Sequence, residues 1–386
     1  MDFSENPDHI AIAEAVRALC AGFPDEYWRR CEAAHEFPWD FYRAMAAGGC
    51  VGIALPEKYG GGGQGIQEAS IVLREVAASG AAMNGCSALH LTIFGLNPVV
   101  VFGSEKLKQA FLPRAAAGEL HVAFGVTEVD AGTDTSRVAT RAEPDGRGGY
   151  VVRGQKVWTT KALESEVVLL LVRTSGEPGS FQGLSLFLAD LDRNYVDIRP
   201  IPKLGRNAVA SCETHYDGLP VEAWRRIGEE GQGWRYLTHG LNPERVLLAS
   251  EAIGIGEVAL RRAVHYATQR EVFARPIGAN QAISHPLAQA HVQLRAAWQL
   301  TQYAAWRYDA GLDCAEAANS AKYLAAEAGF FAADRAVQTL GGMGYAVEHD
   351  VERYFREARL IRIAPVTQEM TLNFIAQKVL GLPRSY

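Results

Sequence analysis

The sequence lacks the features that mark secreted, membrane-spanning and nucleic-acid-binding proteins. Its first eight residues have neither the cationic and apolar regions of a secretory signal nor the arginine-rich character of a transit peptide. No apolar run approaches the length of about 20 residues that a membrane-spanning helix needs. The formal net charge is -6 at pH 7, which gives no reason to expect a surface that tracks nucleic-acid phosphates. We therefore predict a soluble, cytoplasmic protein with no nucleic-acid partner and no membrane span.

Cysteine is also scarce, and its positions exclude the common zinc-binding patterns. The six cysteines are scattered, with no Cys-x-x-Cys pair and no histidine at a metal-ligand spacing. We expect buried free thiols in a reducing compartment and no metal site. The cysteines are Cys20, Cys31, Cys50, Cys86, Cys212 and Cys314.

The 386 residues predict two or three domains, because a chain of this length exceeds one typical hydrophobic core. Apolar residues recur at helical spacing in residues 1–119, which predicts an N-terminal α-helical domain. Residues 120–228 contain short apolar runs separated by glycine, proline and aspartate, which predicts a compact antiparallel β domain. Residues 229–386 return to long alanine-rich patterns typical of a helical bundle. The predicted long helices cover roughly 234–269, 282–310, 314–340 and 347–361.

Two glycine-rich segments imitate nucleotide-binding motifs. Residues 54–65 share only glycine content with a phosphate loop, because no Gly-Lys-Ser/Thr follows, and we predict a flexible connector there. Residues 254–259 match the dinucleotide fingerprint, but they fall in the middle of a predicted helix. The β segments also lack intervening helices, which argues against a doubly wound nucleotide-binding fold.

Residues 241–249 place one ionisable pair, Glu244 and Arg245, inside an otherwise apolar helical sequence. In a structural interpretation, Asn242 caps the helix, Pro243 takes its first position, and Glu244 complements the positive helix terminus. In a functional interpretation, Glu244 is a catalytic base that faces a bound cofactor. These residues alone favour the structural interpretation.

Further polar segments occur in a fixed order along the chain. Residues 126–134 form a polar turn after a predicted strand, and residues 154–160 place Trp158 before two threonines, which suits an aromatic ring and its polar edge. Residues 338–345 end a helix with glycines that let backbone amides approach a phosphate. Each segment also has a structural interpretation, such as a core tryptophan or a helix C-cap.

Taken together, these segments resemble motifs of the acyl-CoA dehydrogenase family of flavoproteins. The family's Thr-Glu-Pro, two residues, Gly-Ser-Asp is similar to residues 127–134, and its Lys-x-Trp-Ile-Thr is similar to residues 156–160. Its Arg-x-x-Phe-Gly resembles residues 270–274, and its Gln-x-x-Gly-Gly-x-Gly-Tyr resembles residues 338–345. The resemblance implies a mostly α fold with an α-helical domain, a β-barrel middle domain and a C-terminal four-helix bundle. It also implies a homotetramer with one FAD per subunit.

The resemblance assigns roles to individual residues. The flavin ring is expected between residues 124–127 and residues 158–160, and residues near 270–281 and 338–342 are expected to bind the FAD of a neighbouring subunit. Thr133 and Arg245 are expected to contact the acyl-CoA thioester or its pantetheine. The predicted cofactor-binding residues are Phe124, Val126, Thr127, Trp158, Thr160, Arg270, Phe273, Gln281, Gln338, Gly341, Gly342, Thr367 and Glu369.

The resemblance also implies a reaction. A carboxylate removes the α-proton of an acyl thioester while flavin N5 accepts the β-hydride, and electrons pass to an electron-transferring flavoprotein. In many members the base is a glutamate near the C-terminus, but Pro365 stands at that position here. A minority of members, including isovaleryl-CoA and long-chain enzymes, carry the glutamate just before an arginine on an internal helix. Glu244 and Arg245 match that arrangement, so Glu244 is the predicted base.

Three positions depart from the family pattern: Val129 replaces a proline, Lys161 replaces an asparagine, and Pro365 has no N-H to offer the thioester oxygen. Two alternatives therefore stay open. One is a dehydrogenase or oxidase of an acyl thioester on a carrier protein. The other is a flavin-binding scaffold without dehydrogenase activity.

Overall fold

A computed structural model describes residues 6–384 of the chain. The chain begins with helices, continues as one large sheet, and ends with helices. Helix α1 starts where the sequence places an Asn-Pro pair, because the Asn6 side chain accepts a hydrogen bond from the Asp8 N-H and Pro7 needs no N-H partner. The helices of the first part are α1 Pro7–Cys20, α2 Asp25–Ala34, α3 Trp39–Ala47, α4 Ile66–Val76, α5 Ala82–Ile93, α6 Asn97–Phe102 and α7 Glu105–Ala116.

The middle part is an eight-stranded sheet. Its strands are β1 Val122–Gly125, β2 Arg141–Pro144, β3 Gly149–Thr160, β4 Val167–Arg173, β5 Leu184–Asp190, β6 Val196–Pro200, β7 Ser211–Glu222 and β8 Arg226–Ile227. Neighbours follow the order β6, β7, β3, β1, β4, β5, β8, and β2 pairs with β3 and β4. The prediction of an antiparallel domain was wrong in one respect, because β1 runs parallel to β4 over four residue pairs. Strand β4 is apolar from Val167 to Val172 because its alternate side chains enter two different cores, one on each face of the sheet.

The last part contains the long helices. They are α8 Gly233–His239, α9 Leu241–Gln269, α10 Gln281–Asp309, α11 Ala315–Leu340, α12 Val351–Ile361 and α13 Gln368–Phe374, with a short hairpin of β9 Glu271–Val272 and β10 Arg275–Pro276 after α9. The predicted helix over 234–269 is divided at Gly240, which caps α9. Asn242 and Pro243 are therefore the second and third helical residues, so the predicted Asn242 cap was wrong.

The first and last parts share one hydrophobic core. Helices α4 and α5 pack against α9, and α9 packs against α10 and α11. Small residues make this possible: a Cβ at Gly254 would lie 2.4 Å from the Arg74 carbonyl oxygen, and one at Gly256 would lie 3.0 Å from the Gly329 Cα. The glycines that imitate a dinucleotide fingerprint therefore serve close helix packing, in agreement with our rejection of that motif.

The stretch of residues 66–102 is long and apolar enough to cross a membrane, contrary to our reading of the sequence, but 72% of its most apolar window is buried inside the protein. Residues 77–81 form a π-helical turn with Gly80 at φ +106°, which separates α4 from α5. We therefore interpret residues 66–102 as core helices of this fold.

The glycine-rich segment at 60–65 is not a free connector. The backbone N-H groups of Gly62, Gly63 and Gln64 donate to the carbonyl oxygens of Gly52, Leu55 and Ile53 at 2.9–3.0 Å. The glycines allow this close approach of two backbone segments. The six cysteines, by contrast, are free and buried as predicted.

His121, just before β1, gives a stability prediction. Its ring lies 4.3 Å from the ring of Tyr42 and 5.1 Å from that of Trp39, and burial together with the charge of Lys161 lowers its pKa to about 3. Because the unfolded chain binds this proton near pH 6.5, His121 costs stability as the pH falls from about 6.5 toward 3. We expect His121→Phe to lose about 2 kcal/mol less unfolding free energy than the wild type between pH 7 and pH 5. Urea unfolding at both pH values measures this, and equal losses in the two proteins would contradict it.

Candidate active site

The predicted base Glu244 lies in the first turn of α9 and is part of a three-residue cluster. Its Oε2 lies 2.9 Å from Nε2 of His90, and Nδ1 of the same ring lies 2.7 Å from Oε1 of Glu251. Glu244 and Glu251 are seven residues apart, which places both carboxylates on one face of α9. His90 reaches that face from α5. The side chain of Glu244 keeps 23% of its surface exposed, whereas that of Glu251 is 1% exposed.

The charges of this cluster favour an imidazolium. Burial alone would lower the pKa of His90, but the carboxylates of Glu244 and Glu251 outweigh it and raise that pKa well above its ordinary value. Oε1 of Glu244 has no hydrogen-bond partner within residues 6–384. One oxygen of the predicted base is therefore anchored and the other is free to take a proton.

Arg245, the other half of the ionisable pair, bonds to a different partner. Its Nη1 donates to Oδ1 of Asn242 at 2.9 Å, and its Nε is buried without a partner in the described part of the chain. Lys322 of α11 is also nearby; its Nζ donates to the carbonyl oxygen of Val366 at 2.6 Å, and burial, with the charge of Arg245 next, lowers its pKa to about 8. Lys322 thus lies beside the turn that contains Pro365, and the charge of Arg245 acts on it.

The two β segments predicted to face the flavin lie side by side. Phe124 of β1 pairs with Thr160 of β3, and the Val157 N-H donates to the Thr127 carbonyl oxygen at 2.9 Å. The buried Lys156 holds this arrangement because its Nζ donates to the Val126 carbonyl oxygen at 3.0 Å. The structure therefore brings Phe124, Val126, Thr127, Trp158 and Thr160 together.

Trp158 has an unusual backbone for its residue type. It sits in an irregularity of the β3–β7 pairing with φ +62°, and 53% of its side chain is exposed. A large aromatic ring that is half-exposed on a strand, beside hydroxyls, suits stacking against a planar ligand. The alternative of a core tryptophan is therefore wrong.

Arg206 was missed by the sequence analysis. Its Nη2 lies 3.4 Å from Oγ1 of Thr160, its Nη1 lies 3.2 Å from Oγ of Ser87, and it also contacts Ser211. Ser87 lies on α5 one turn before His90. Arg206 thus connects the predicted flavin edge with the helix that carries the His90–Glu244 contact, and it places both in one region.

Lys161, which replaces the usual family asparagine, is fully buried beside the same helix. Its Nζ donates to the Ala88 carbonyl oxygen at 2.9 Å and lies 4.7 Å from the centre of the Tyr42 ring. Burial lowers its pKa to about 7. Lys161 therefore ties the end of β3 to α5.

A second region contains the other predicted cofactor residues. Arg270, Gly341 and Gly342 line a cavity of about 300 Å³ at the ends of α9 and α11, together with Tyr266 and Met343. A Cβ added at Gly342 would meet no protein atom within 4 Å, so the backbone faces open space there. An arginine beside exposed glycine amides suits a phosphate-bearing group.

The remaining predicted residues lie outside these two regions. Phe273 and Gln281 do not line the cavity, although they are close to it in sequence, and Gln338 is exposed on the last turn of α11. Thr367 caps α13 by accepting a hydrogen bond from the Met370 N-H at 3.3 Å, and the exposed Glu369 follows in its first turn. Thr133 is exposed in the turn before residues 135–137. No contact within residues 6–384 connects these side chains with Glu244.

Comparisons with known proteins agree with this architecture. Models of the N-terminal, middle and C-terminal acyl-CoA dehydrogenase domains match residues 6–119, 123–219 and 231–380. The chain is 38% identical over 388 aligned positions to acyl-CoA dehydrogenase fadE12 of Mycobacterium bovis, covering 100% of this chain and 99% of that protein. Its fold is similar to butyryl-CoA dehydrogenase of Megasphaera elsdenii, with a TM-score of 0.94, 27% identity, and coverage of 98% of this chain and 100% of that one. It is similar to glutaryl-CoA dehydrogenase in its glutaryl-CoA complex, with a TM-score of 0.92, 28% identity, and coverage of 100% and 98%.

The fold and the site define a flavin-dependent oxidoreductase. The chain belongs to the acyl-CoA dehydrogenase family, and FAD is its cofactor. The resemblance and the mostly α fold with a middle β domain are thereby confirmed. The residues present fit the cofactor, since an exposed tryptophan with neighbouring threonines meets the needs of a flavin ring and an arginine–glycine cavity meets those of its phosphates.

Proposed function

We propose that this protein oxidises an acyl-CoA thioester to the trans-2-enoyl-CoA, with Glu244 as the base that removes the α-proton. The observation that carries the proposal is the position of Glu244. Its carboxylate is partly buried, anchored through one oxygen, and connected through α5 and Arg206 to the hydroxyl of Thr160. The resemblance of Glu244 and Arg245 to the arrangement in a minority of the family supports the same assignment, since Pro365 cannot act as a base.

The chain's own residues supply the proton step. FAD, when bound, supplies the hydride acceptor. Glu244 Oε1 takes the α-proton, and stabilisation of the thioester oxygen must come from nearby donors because that proton is weakly acidic in water. Arg245, with a buried Nε that has no protein partner in the described chain, is the donor we assign to the thioester or its pantetheine.

A cavity of about 160 Å³ lies one turn beyond His90 on α5, and we assign the acyl chain to its apolar part, although Gln64, Asn97 and Asp309 also line it. Ile93, Phe94 and Ile66 form apolar walls, and a Cβ at Gly240, one turn before Glu244, would lie 3.4 Å from both Phe94 and Asn97. Its small size favours short or branched acyl chains over long ones.

Anaerobic mixing with acyl-CoAs tests the proposal. Butyryl-, isovaleryl-, octanoyl- and palmitoyl-CoA are each mixed with the FAD-loaded protein, and bleaching of the oxidised flavin is followed. We expect bleaching with the short or branched substrates. Bleaching only by the same acyl groups on a carrier protein would favour the carrier-thioester alternative. An oxidised flavin with every substrate would favour the scaffold alternative that Pro365 suggests.

We also propose a homotetramer that passes its electrons to an electron-transferring flavoprotein in the cytoplasm. Large exposed side chains on the chain segments that flank the arginine–glycine cavity support the assembly: Phe273 is 97% exposed and Tyr345 is 86% exposed in the single chain. Such residues are rare on a free surface when they cluster.

Phe273→Asp tests the assembly. We expect this change to shift the protein from the tetramer toward smaller species near the 42.0 kDa chain mass and to lower its FAD content. Light scattering after size-exclusion chromatography measures the mass. Ile10→Asp, on the exposed face of α1, is the matched control. A wild-type protein that runs as a monomer would contradict the proposal.

A further inference from the structure

The proposed proton step uses Glu244 but assigns no role to His90, which contacts Glu244, or to Glu251, which contacts His90. His90 bonds to Glu244 at 2.9 Å and to Glu251 at 2.7 Å, and all three side chains lie where α5 crosses α9. Each ring nitrogen lies against a carboxylate oxygen, and the two carboxylates raise the pKa of His90 well above its ordinary value, which favours the doubly protonated ring that can donate to both.

Packing does not explain this cluster. Glu251 is buried, and its Oε2 has no hydrogen-bond partner in the described part of the chain. A buried carboxylate with an unsatisfied oxygen costs free energy, and apolar residues of similar volume are often at least as stable as a buried ion pair. The neighbouring residues of α9 from Val246 to Ser250 are buried and mainly apolar, so the fold could accept such residues here.

The cluster has three parts: Glu244 is the candidate base, His90 orients it, and the carboxylate of Glu251 orients His90. In such arrangements the outer carboxylate sets the orientation of the imidazole, and the imidazole sets that of the reacting group. We propose that His90 is a positioning residue that donates from Nε2 to Oε2 of Glu244 and so directs Oε1 toward the substrate, while Glu251 holds the His90 ring through Nδ1. This proposal rests on the proposed function of Glu244.

The proton balance is simple. The α C-H bond of the substrate breaks, its proton forms an O-H bond with Oε1 of Glu244, and its electron pair stays with the substrate. His90 gains and loses no proton in this step. It acts by fixing the carboxylate and by placing a positive charge beside it, which favours the ionised form that can accept a proton.

Other titratable and charged groups near the cluster influence the charges of His90 and Glu244, but they do not take over the positioning role that we assign to His90. Burial raises the pKa of the Cys86 thiol well above its usual value and keeps it neutral. Burial lowers the pKa of Arg206, which remains a cation on the Glu251 side. Groups on several elements face His90 or its helix: Glu244 and Glu251 from α9, Glu357 from α12, Glu32 from α2, Arg206 from the loop before β7, Lys161 from the end of β3, and Cys86 from α5 itself.

Two substitutions at His90 distinguish a role in positioning Glu244 from a purely structural role. In His90→Gln the side-chain amide nitrogen occupies nearly the place of Nε2 and can still donate to Glu244. In His90→Asn the amide nitrogen occupies the place of Nδ1 and can reach only toward Glu251. Both changes remove the charge and the ring, so a purely structural role predicts similar effects from the two. His215→Gln, an exposed histidine on β7, is the control.

The experiment measures the limiting rate of flavin reduction by butyryl- and isovaleryl-CoA against pH, with FAD content and melting temperature recorded for each variant. We expect roughly a hundredfold loss of rate in His90→Asn, as for a misplaced catalytic group, and a loss of less than about tenfold in His90→Gln. On the acid side of the pH profile, the rate should begin to fall at a higher pH in both variants. The reason is that the positive charge of His90, which favours the ionised form of Glu244, is gone. Wild-type rates and pH profile in His90→Asn would overturn the proposal, as would equal losses in both variants with an unmoved acid limb.

Glu251→Gln provides a second measurement in case His90→Asn does not bind FAD. Removing one of the two carboxylates that raise the pKa of His90 should move the alkaline limb of the rate to lower pH, and an unchanged profile would overturn the proposal.

Glu244→Gln separates this proposal from the one it rests on. A slow Glu244→Gln with normal His90 variants refutes only the positioning role, whereas a normal Glu244→Gln refutes both.

Discussion

Glu244→Gln is expected to keep FAD bound and to slow flavin reduction by roughly three orders of magnitude, within the range that general-base catalysis contributes. The amide keeps the shape of the side chain and can still contact His90, but it cannot accept the α-proton at Oε1. The measurement is anaerobic stopped-flow reduction of the flavin by the acyl-CoA that bleaches the wild type fastest.

Glu143→Gln is the matched control for that change. It removes one negative charge from an exposed position on β2, where Glu143 pairs with Val151 at the far end of β3 from Trp158, and should leave the rate unchanged. Glu244→Asp should give an intermediate rate, because it keeps the carboxylate but shortens the side chain by one methylene. Rates within a few-fold of the wild type in Glu244→Gln would show that another group removes the proton.

Gly342→Val is expected to weaken FAD binding by at least roughly a hundredfold, or about 2.7 kcal/mol. A side chain at this position meets no protein atom within 4 Å, so it enters the cavity beside Arg270 rather than the protein interior. The cofactor would lose the space and the backbone approach that the glycine provides. Flavin absorbance per polypeptide and titration of the apoprotein with FAD measure the effect.

Gly22→Val controls for the glycine change itself. Gly22 is exposed after α1, and an added Cβ makes only an ordinary contact at 3.5 Å with the Leu19 carbonyl oxygen. Both variants should melt near the apoprotein of the wild type, and only Gly342→Val should lose FAD. Full FAD content in Gly342→Val would place the cofactor elsewhere.

The order of domains could be predicted because it depends on local patterns. Helical periodicity in residues 1–119 and 229–386 and the short apolar runs between them are properties of neighbouring residues. The parallel pairing of β1 with β4 could not be predicted in this way, since strand direction is set by partners far apart in the sequence. The break at Gly240 was missed because one glycine does not interrupt the apolar pattern on either side.

The candidate site likewise contains some residues that the sequence could indicate and others that it could not. The structure brings Trp158 and Thr160 together in one region and Arg270 and Gly342 in another, as their motifs indicate, because each motif carries its own local geometry. His90 was missed because it lies 154 residues from Glu244, and a single histidine in an apolar helix gives no signal about its partner. Glu251 offered a usable signal, since a second buried glutamate two helical turns after Glu244 shares its face of α9.

Arg206 had no comparable signal. Its loop position before β7 shows no motif, and its contacts with Thr160 and Ser87 exist only once the sheet has packed against α5. Such long-range polar contacts depend on the tertiary arrangement of three elements.

The most direct measurement isolates the proton step from the hydride step. A 3-thia-acyl-CoA, which carries sulfur in place of the β-carbon, cannot give up a β-hydride but keeps an acidic α-proton. Incubated in deuterated water with the FAD-loaded wild type, it should take up deuterium at the α-carbon, as detected by mass spectrometry, and with Glu244→Gln it should not. Equal deuterium uptake with both proteins would contradict the assignment of Glu244 as the base.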